Sequence, residues 1–333
     1  MSHEYAPRGD QIQALPAVMT VVGGDARLCA VAGRLAETVC TVRMFAVGEE
    51  SATSSIFATE KNLPLCFCRS LWEAWAGSRI MVLPLPVTRD GETVFCPLAP
   101  DGEVTLNELT HAIARTAGDQ KISPIIFGGK IPTAWRCAME SAGGVVYDYL
   151  DREDVQVRNA HITAEGAVMT AMEMTDVTLQ NAPVAILGYG RIGQLTARML
   201  IVLGAEVTVF ARRAESRAWA IADGAEAADI VELADAAGKY TVLINTVPAP
   251  LLTAPVAASM RKKSIVIDLA SPPGGLSSDA EAVASARGWP RVVHALSLPG
   301  RYAPVTAGQV IADSILDELT HHSSTAANGK EGG

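Results

Sequence analysis

The sequence predicts an α/β protein of two domains, each a parallel, doubly wound sheet. Three observations carry this. Short apolar runs of strand length alternate with helix-period segments from Ala17 to Thr320. One run, Val184–Leu187, stops at Gly188-Tyr-Gly190-Arg-Ile-Gly193, and a helical pattern over Arg191–Leu203 follows at once. A chain of 333 residues with 49% hydrophobic content also has enough apolar material for two cores.

In chain order, residues 1–15 read as a loose polar leader without the apolar centre of a signal peptide. Ala17–Val22 is an apolar strand ending at Gly23-Gly24-Asp25, and Ala26–Thr38 suits a helix. Arg27 at the start of that helix leaves two readings open, a receptor for a carboxylate or a surface arginine beside a tight turn. Further strands are expected at Cys40–Val47, Arg79–Leu85, Ile122–Phe127 and Val145–Tyr149, with helices at Leu106–Thr116 and Thr133–Ser141. Thr53–Asn62 and Val87–Asp101 carry proline, glycine and polar punctuation and read as irregular. The second of these is placed either to overhang a cleft or to lie in solvent. Asp151–Asp154 is charged and hinge-like.

Asn159–Thr175 has helical spacing and is expected to link the domains. Strands follow near 184–187, 206–210, 241–245, 264–269 and 291–295. Val305–Thr320 is amphipathic and is expected to cross back to the first domain. The domains are therefore 16–151 completed by 304–320, and 152–303. The tail 321–333 is rich in Ser, Ala and Gly and is expected to be disordered. Together these elements describe two Rossmann-like domains joined by linking helices.

Chemistry is placed by the glycine turn. Gly188 permits the tight turn, Gly190 lets backbone approach a pyrophosphate, and Gly193 lets helix and strand pack closely. The helix start at Arg191 and Ile192 offers N–H groups to the phosphates. An NAD site usually carries Asp or Glu at the end of its second strand, about 20 residues past the first glycine. Here that strand ends in Ala211-Arg212-Arg213, with Arg217 one turn on. Loss of the acid and gain of bases favour NADP; NAD fits if the arginines only begin an exposed helix.

In an open parallel sheet, ligands sit at the carboxyl ends of the strands. Asn245-Thr246-Val247-Pro248, Asp268–Gly275 and His294–Gly300 end successive strands, and the first is assigned to the cofactor. From their positions on the linking helix and at strand ends, Asn159, Thr163, Glu165, Asp268 and Ser271 are the expected catalytic group. His294 is either an acid–base group or an exposed side chain, and His161 with Glu165 is either cleft-facing or a solvated pair.

The net charge of −9 argues against nucleic acid or an anionic membrane as partner. No apolar run reaches spanning length, so a soluble, cytoplasmic protein is expected. None of the six cysteines forms a C-x-x-C pair, and buried free thiols are expected. No metal-ligand spacing is present, and His321-His322 lies in the tail, so no metal is assigned. Zinc-hydrolase, serine-hydrolase and Walker-loop patterns are also missing.

These residues support a resemblance. Val21-Val-Gly-Gly-Asp-Ala-Arg27, Asn159 with Thr163-Ala-Glu-Gly166, and the glycine turn resemble the family of dipicolinate synthase A-subunits. So do Ile244–Pro248, Asp268–Ser271 with Gly274-Gly275, Leu298-Pro-Gly300 and Ala303-Pro-Val-Thr-Ala-Gly-Gln309, in the family's order. Two departures stand out. Ile162 replaces a proline, and Ala295-Leu296-Ser297 stands where the family tends to read Ala-Pro-Gly.

The resemblance implies formation of dipicolinate (pyridine-2,6-dicarboxylate) from a dihydro- or 4-hydroxytetrahydrodipicolinate. It implies a flavoprotein-like B-subunit of dipicolinate synthase as partner, a heteromeric and oligomeric enzyme, and action in the mother-cell cytoplasm during sporulation. A dicarboxylate substrate needs cationic or N–H donors. Arg27, Arg158 and Arg301 stand at motif positions for that, or are surface charges. The alternatives are an opine- or amino-acid-type dehydrogenase and a dinucleotide sensor without turnover.

Overall fold

The computed structural model describes residues 17–39, 41–48, 63–99, 103–120 and 123–328. The leader 1–15, the stretch Thr53–Asn62, Cys40, Asp101, Ile122 and residues 329–333 of the tail lie outside the described residues. Two compact units result, Met1–Val155 with Pro304–Gly333, and Gln156–Ala303.

The first unit runs β1 (Val18–Val22), α1 (Ala26–Ala36), β2 (Thr41–Phe45), β3 (Leu65–Phe67), α2 (Leu71–Trp75) and β4 (Ile80–Val82). It continues with α3 (Leu106–Gln120), β5 (Ile125–Gly128), α4 (Thr133–Ser141) and β6 (Val145–Asp148). Its parallel sheet has the order β3-β2-β1-β4-β5-β6. Strands covered on both faces must be apolar on both, which is why β4 reads as a continuous hydrophobic run and β1 is broken only by Thr20, whose hydroxyl donates to the Ala74 carbonyl at 2.8 Å. One face packs Met19 and Val21 against Leu28, Val31 and Leu35 of α1. The other packs Val22, Met81 and Ile126 against Trp75, Trp135 and Met139.

The unit boundary at Val155 falls inside α5 (Glu153–Met174). That helix starts earlier than spacing alone indicates: the hinge-like stretch Asp151–Asp154 is the end of a 3-10 turn, Tyr149–Asp151, followed by the start of α5 at Glu153. Glu153 and Asp154 occupy the first turn, where carboxylates complement the helix dipole, and Arg152 pairs with Asp154 at 2.9 Å.

The second unit continues with β7 (Pro183–Leu187), α6 (Arg191–Val202), β8 (Glu206–Phe210), α7 (Ala214–Ala222) and β9 (Glu226–Ala228). After α8 (Leu233–Ala236) come β10 (Val242–Asn245), α9 (Ala254–Ser259), β11 (Ile265–Asp268), α10 (Ser278–Arg287), β12 (Arg291–His294) and α11 (Leu298–Tyr302). Its sheet is again wholly parallel, in the order β9-β8-β7-β10-β11-β12. Ala167 and Ala171 of α5 pack on one face with Ile186, Ile244 and Ile267. Leu187, Phe210 and Leu243 face the opposite layer with Val256 and Met260.

The last helix, α12 (Pro304–Asn328), belongs to the first unit, where Ile311, Ile315 and Leu319 join the core beside α1. A Cβ at Gly308 would lie 2.5 Å from Ala30 Cβ, so the bare glycine is what lets the two helices cross closely. The helix runs to Asn328, past Thr320, because Ser323–Asn328 contains no breaker and two alanines. No described helix is long and apolar enough to cross a membrane. Cys29 is buried as expected, but Cys66 and Cys137 are exposed; Cys66 lies on the edge strand β3, which covers less of its surface.

Candidate functional site

In the second sheet the chain leaves β7 towards β8 and leaves β10 towards β11, so the strand order reverses between β7 and β10. A cavity of about 540 Å³ opens at the carboxyl ends there. Gly188–Ile192, Phe210–Arg213 and Thr246–Ala249 line it, together with Ser216, Ile230 and Leu251.

The three glycines of the turn have separate tasks. Gly188 has φ +89°, and a Cβ there would come within 2.5 Å of Val247 Cγ2 and 2.7 Å of Thr246 Oγ1. A Cβ on Gly193 would strike the Gly188 carbonyl oxygen. At Gly190 a Cβ would meet nothing within 4 Å. Gly190 is the N-cap of α6 and supplies no side-chain cap, so no side chain at that position occupies the helix start. Tyr189 between them is anchored, its hydroxyl donating to Asp223 Oδ2 at 2.6 Å while Arg198 pairs with the same carboxylate at 3.0 Å. Burial and that bond push the phenol up; the bond from Tyr189 and the Arg198 guanidinium hold Asp223 below the usual carboxylate range.

At the end of β8 no carboxylate appears. Ala211 is buried, and Arg212 and Arg213 are exposed on the cavity wall. Neither arginine side chain is paired with another described residue. Arg213 is the N-cap of α7, again without a side-chain cap, and Ser216 in the first turn lines the cavity. Two uncapped helix starts thus open on one cavity from adjacent strands.

The third wall comes from β10 and β11. Asn245 and Asp268 are register partners, both buried, and Asn245 Nδ2 donates to Asp268 Oδ1 at 2.8 Å and to the Val247 carbonyl at 2.9 Å. Asp268 also accepts from Ala270 N at 3.2 Å and Gly275 N at 2.9 Å. One carboxylate therefore ties together the loops after both strands. Gly275 must be bare, since a Cβ would collide with the Asn245 amide. Thr246 Oγ1 donates to the Leu187 carbonyl at 2.8 Å and fixes the β10 loop on the glycine turn.

Comparison with known proteins agrees with this geometry. Residues 150–285 match the family described as D-isomer specific 2-hydroxyacid dehydrogenase, NAD binding domain. The dipicolinate synthase A-subunit of Bacillus subtilis (strain 168) is 29% identical over 303 residues, spanning 90% of this chain and 95% of that protein. The crystal structure of the dipicolinate synthase A-subunit from Bacillus halodurans has TM-score 0.75 and 29% identity, over 91% of this chain and 97% of that one. The chain is similar to these dipicolinate synthase A-subunits over nearly its whole length. The crystal structure of the Bacillus subtilis counterpart, at TM-score 0.74 and 26% identity, covers 93% of this chain and 98% of its own. The matched domain gives the protein a dehydrogenase-type role with a nicotinamide dinucleotide as cofactor. The residues present fit that group, because of the three glycines of the turn Gly190 alone has free space above it, and it stands at an uncapped helix start.

The relationship to the dipicolinate synthase A-subunits makes sense of several motif positions. Gly166 faces α11, where a Cβ would lie 2.9 Å from Leu298 Cβ, so Thr163–Gly166 and Leu298–Gly300 form one packing contact. Ser297, in place of the glycine, sits at φ +58°, a backbone region that favours glycine. Ile162, in place of the proline, is buried in mid-helix.

Of the expected cofactor residues, Gly188, Gly190, Arg191, Ile192, Arg212, Arg213, Thr246, Val247 and Pro248 line the one cavity. Gly193 and Asn245 support it from behind. The expected catalytic residues are more scattered. Thr163 is buried and its hydroxyl donates to the Asn159 carbonyl at 2.8 Å. Glu165 is exposed, 3.2 Å from His161, and faces a groove with Met169, Met172, Leu195 and Arg198 that is separate from the dinucleotide cavity. Ser271 is exposed on the loop after β11. His294 is exposed beside Asp268, Nδ1 to Oδ2 being 3.8 Å.

Arg27 is neither of the two things the sequence suggests. It is 3% exposed, donates to Asp25 Oδ1 at 2.8 Å and Oδ2 at 2.7 Å, and donates again to the Leu85 carbonyl. It is a buried structural pair. Arg158 and Arg301 are exposed, and Arg301 lies over the Tyr302 ring. One further residue of the site, Ser216, gives little signal in the sequence, and the task of Gly275 within its motif is not legible there. Ser216 is visible only once Arg213 is known to be a helix N-cap, and Gly275 only once Asn245 and Asp268 are known to be register partners.

Proposed function

We propose that the protein is the NADP-dependent oxidoreductase component of an enzyme that forms dipicolinate from a dihydro- or 4-hydroxytetrahydrodipicolinate. Similarity to the dipicolinate synthase A-subunits over nine-tenths of the chain, with the dinucleotide cavity intact, is the observation that carries it. Converting a dihydropyridine to a pyridine removes a hydride and a proton, and a bound nicotinamide dinucleotide supplies the hydride acceptor.

The protein's part is to bind, orient and exclude water. The α6 start at Gly190–Gly193 receives the pyrophosphate. Arg212 and Arg213, with the uncapped start of α7, receive a 2′-phosphate, and the lack of a carboxylate after β8 removes the group that would repel it. The Asn245–Pro248 loop is assigned to the nicotinamide end. Asp268 is already satisfied by three donors, which favours an orienting role for it over that of a free base. We assign Asn159, Thr163, Glu165 and Ser271 to the substrate side as candidates. A flavoprotein-like second subunit completes the enzyme, so activity alone is weak or absent.

The test is incubation with NADP⁺ and freshly generated dihydrodipicolinate, with and without that second subunit, following dipicolinate absorbance. Dipicolinate appearing only or mainly with both proteins supports the reading. Its absence under both conditions sinks the function, and full turnover by the single chain sinks the partnership.

A further inference from the structure

We infer that Arg217 and Asp229 are a positioning pair for the 2′-phosphate site, holding the Arg212–Arg213 turn in the shape that faces the cavity. This rests on the reading of Arg212 and Arg213 given under Proposed function. Three arginines stand within seven residues after β8, yet they are not equivalent. Arg217 Nη1 donates to the carbonyls of Ala211 at 2.8 Å and Arg212 at 2.9 Å, and pairs with Asp229 Oδ2 at 2.8 Å.

The two carbonyls belong to the residues immediately before the two cavity-wall arginines. The backbone through Ala211-Arg212 turns both oxygens towards the Arg217 guanidinium, and the two bonds fix its direction there. One terminal nitrogen, Nη1, stands within reach of both carbonyls and the carboxylate and shares its two N–H groups among them; a lysine ammonium, on a shorter and more flexible stem, is not held at that point by a rigid planar group. Asp229 neutralises Arg217 while leaving Arg212 and Arg213 uncompensated. It is itself fixed, because it N-caps the turn Ile230–Glu232 in a reciprocal box with Glu232, and Ile230 lines the cavity. The charge that this turn presents to the cavity is thus that of Arg212 and Arg213, and Arg217 acts through them.

The test measures dissociation constants for NADPH and NADH, and for the fragments 2′,5′-ADP and 5′-ADP, on the full chain. The variants are Arg217→Ala, Arg217→Lys, Asp229→Asn and the pair Arg212→Ala/Arg213→Ala. Arg217→Ala should weaken NADPH and 2′,5′-ADP about tenfold, equivalent to roughly one hydrogen bond's contribution. NADH and 5′-ADP should change less than about twofold, and Arg217→Lys should fall between. Added to Arg212→Ala/Arg213→Ala, Arg217→Ala should cost nothing further, because its effect passes through those two side chains.

Equal losses for both dinucleotides, no loss, or a loss that persists in the double-alanine background would each overturn the inference. If Arg217→Ala does not fold, Asp229→Asn keeps the guanidinium in place and should still lower the NADPH-to-NADH preference; an unchanged preference there is equally fatal. If the unmodified protein shows no preference for NADPH, the reading of Arg212 and Arg213 fails and the inference falls with it. A normal preference that ignores every Arg217 and Asp229 variant sinks the inference alone.

Discussion

The two units offer the same architecture twice, with opposite results at the first turn. Each sheet has its first strand beside its fourth, and in each that strand runs into a glycine turn and a helix. In the second unit the turn is open. In the first unit it is closed from two sides. Asp25 caps α1 with its own carboxylate and holds buried Arg27, while Phe95 accepts a hydrogen bond from Gly24 N at 2.7 Å. A Cβ on Gly23 would meet Cys96 Sγ at 2.7 Å, so the segment expected to be irregular is packed on the turn. A helix start attracts an anion in both units. Whether that anion is a ligand or the chain's own side chain depends on the residue at the N-cap.

The largest effect should come from breaking the closed turn. Asp25→Ala leaves Arg27 buried without its partner and should cost about 3–5 kcal/mol of stability. Denaturant unfolding measures this, and a loss under about 1 kcal/mol would show that the pair is not what closes the turn. Gly190→Asp gives the open turn the cap of the closed one. Dinucleotide binding should weaken by about 100-fold, because two charge-assisted hydrogen bonds to the phosphates are removed, while stability holds or rises by about 1 kcal/mol. Binding within about threefold of the unmodified protein would mean that the N-cap is not the deciding difference.

Arg212→Ala and Arg213→Ala should each weaken NADP(H) by about 1.5–3 kcal/mol and leave NAD(H) nearly unchanged. Titration with both cofactors checks this, and equal affinity of the unmodified protein for the two refutes it. The smallest effect is expected at the anchor of the open turn. Tyr189→Phe should cost about 1 kcal/mol at neutral pH. Asp223 has its folded value depressed, so its contribution is present above the ordinary carboxylate range and is lost as pH falls through the depressed value. The penalty of Tyr189→Phe should therefore shrink on acidification; a constant penalty down to acid pH would place its origin elsewhere.

Much of this architecture was legible because local signals and tertiary demands coincide. β7, the glycine turn and α6 could be read from apolar run, glycine spacing and helical period, and each limit falls within a residue of its expected place. The edge strands β3 and β9 were not read, since three residues with one neighbour leave little hydrophobic signal. Arg212 and Arg213 could be read as cavity residues from the missing acid. Arg217 could not be told apart from them, because its partner Asp229 lies twelve residues on and its task is to hold backbone. Arg27 misled for the same reason: the Leu85 carbonyl that helps bury it is 58 residues away. Asp268 shows the limit most plainly. A carboxylate at a strand end suggests chemistry, but its three donors come from its own loop and a neighbouring strand, which only the folded sheet assembles.

The position of α12 sets an order of events during synthesis. The second unit is continuous from Gln156 to Ala303 and holds all it needs when its last strand leaves the ribosome. The first unit begins earlier in the chain but lacks Ile311, Ile315 and Leu319 until the second unit has been made. The apolar side of α1, shaped around Ala30 to receive Gly308, waits uncovered through the making of the whole dinucleotide domain. Of the two units, the one whose synthesis starts first is therefore the one completed second, and a ribosome stalled anywhere before residue 304 leaves it open to chaperones and proteases.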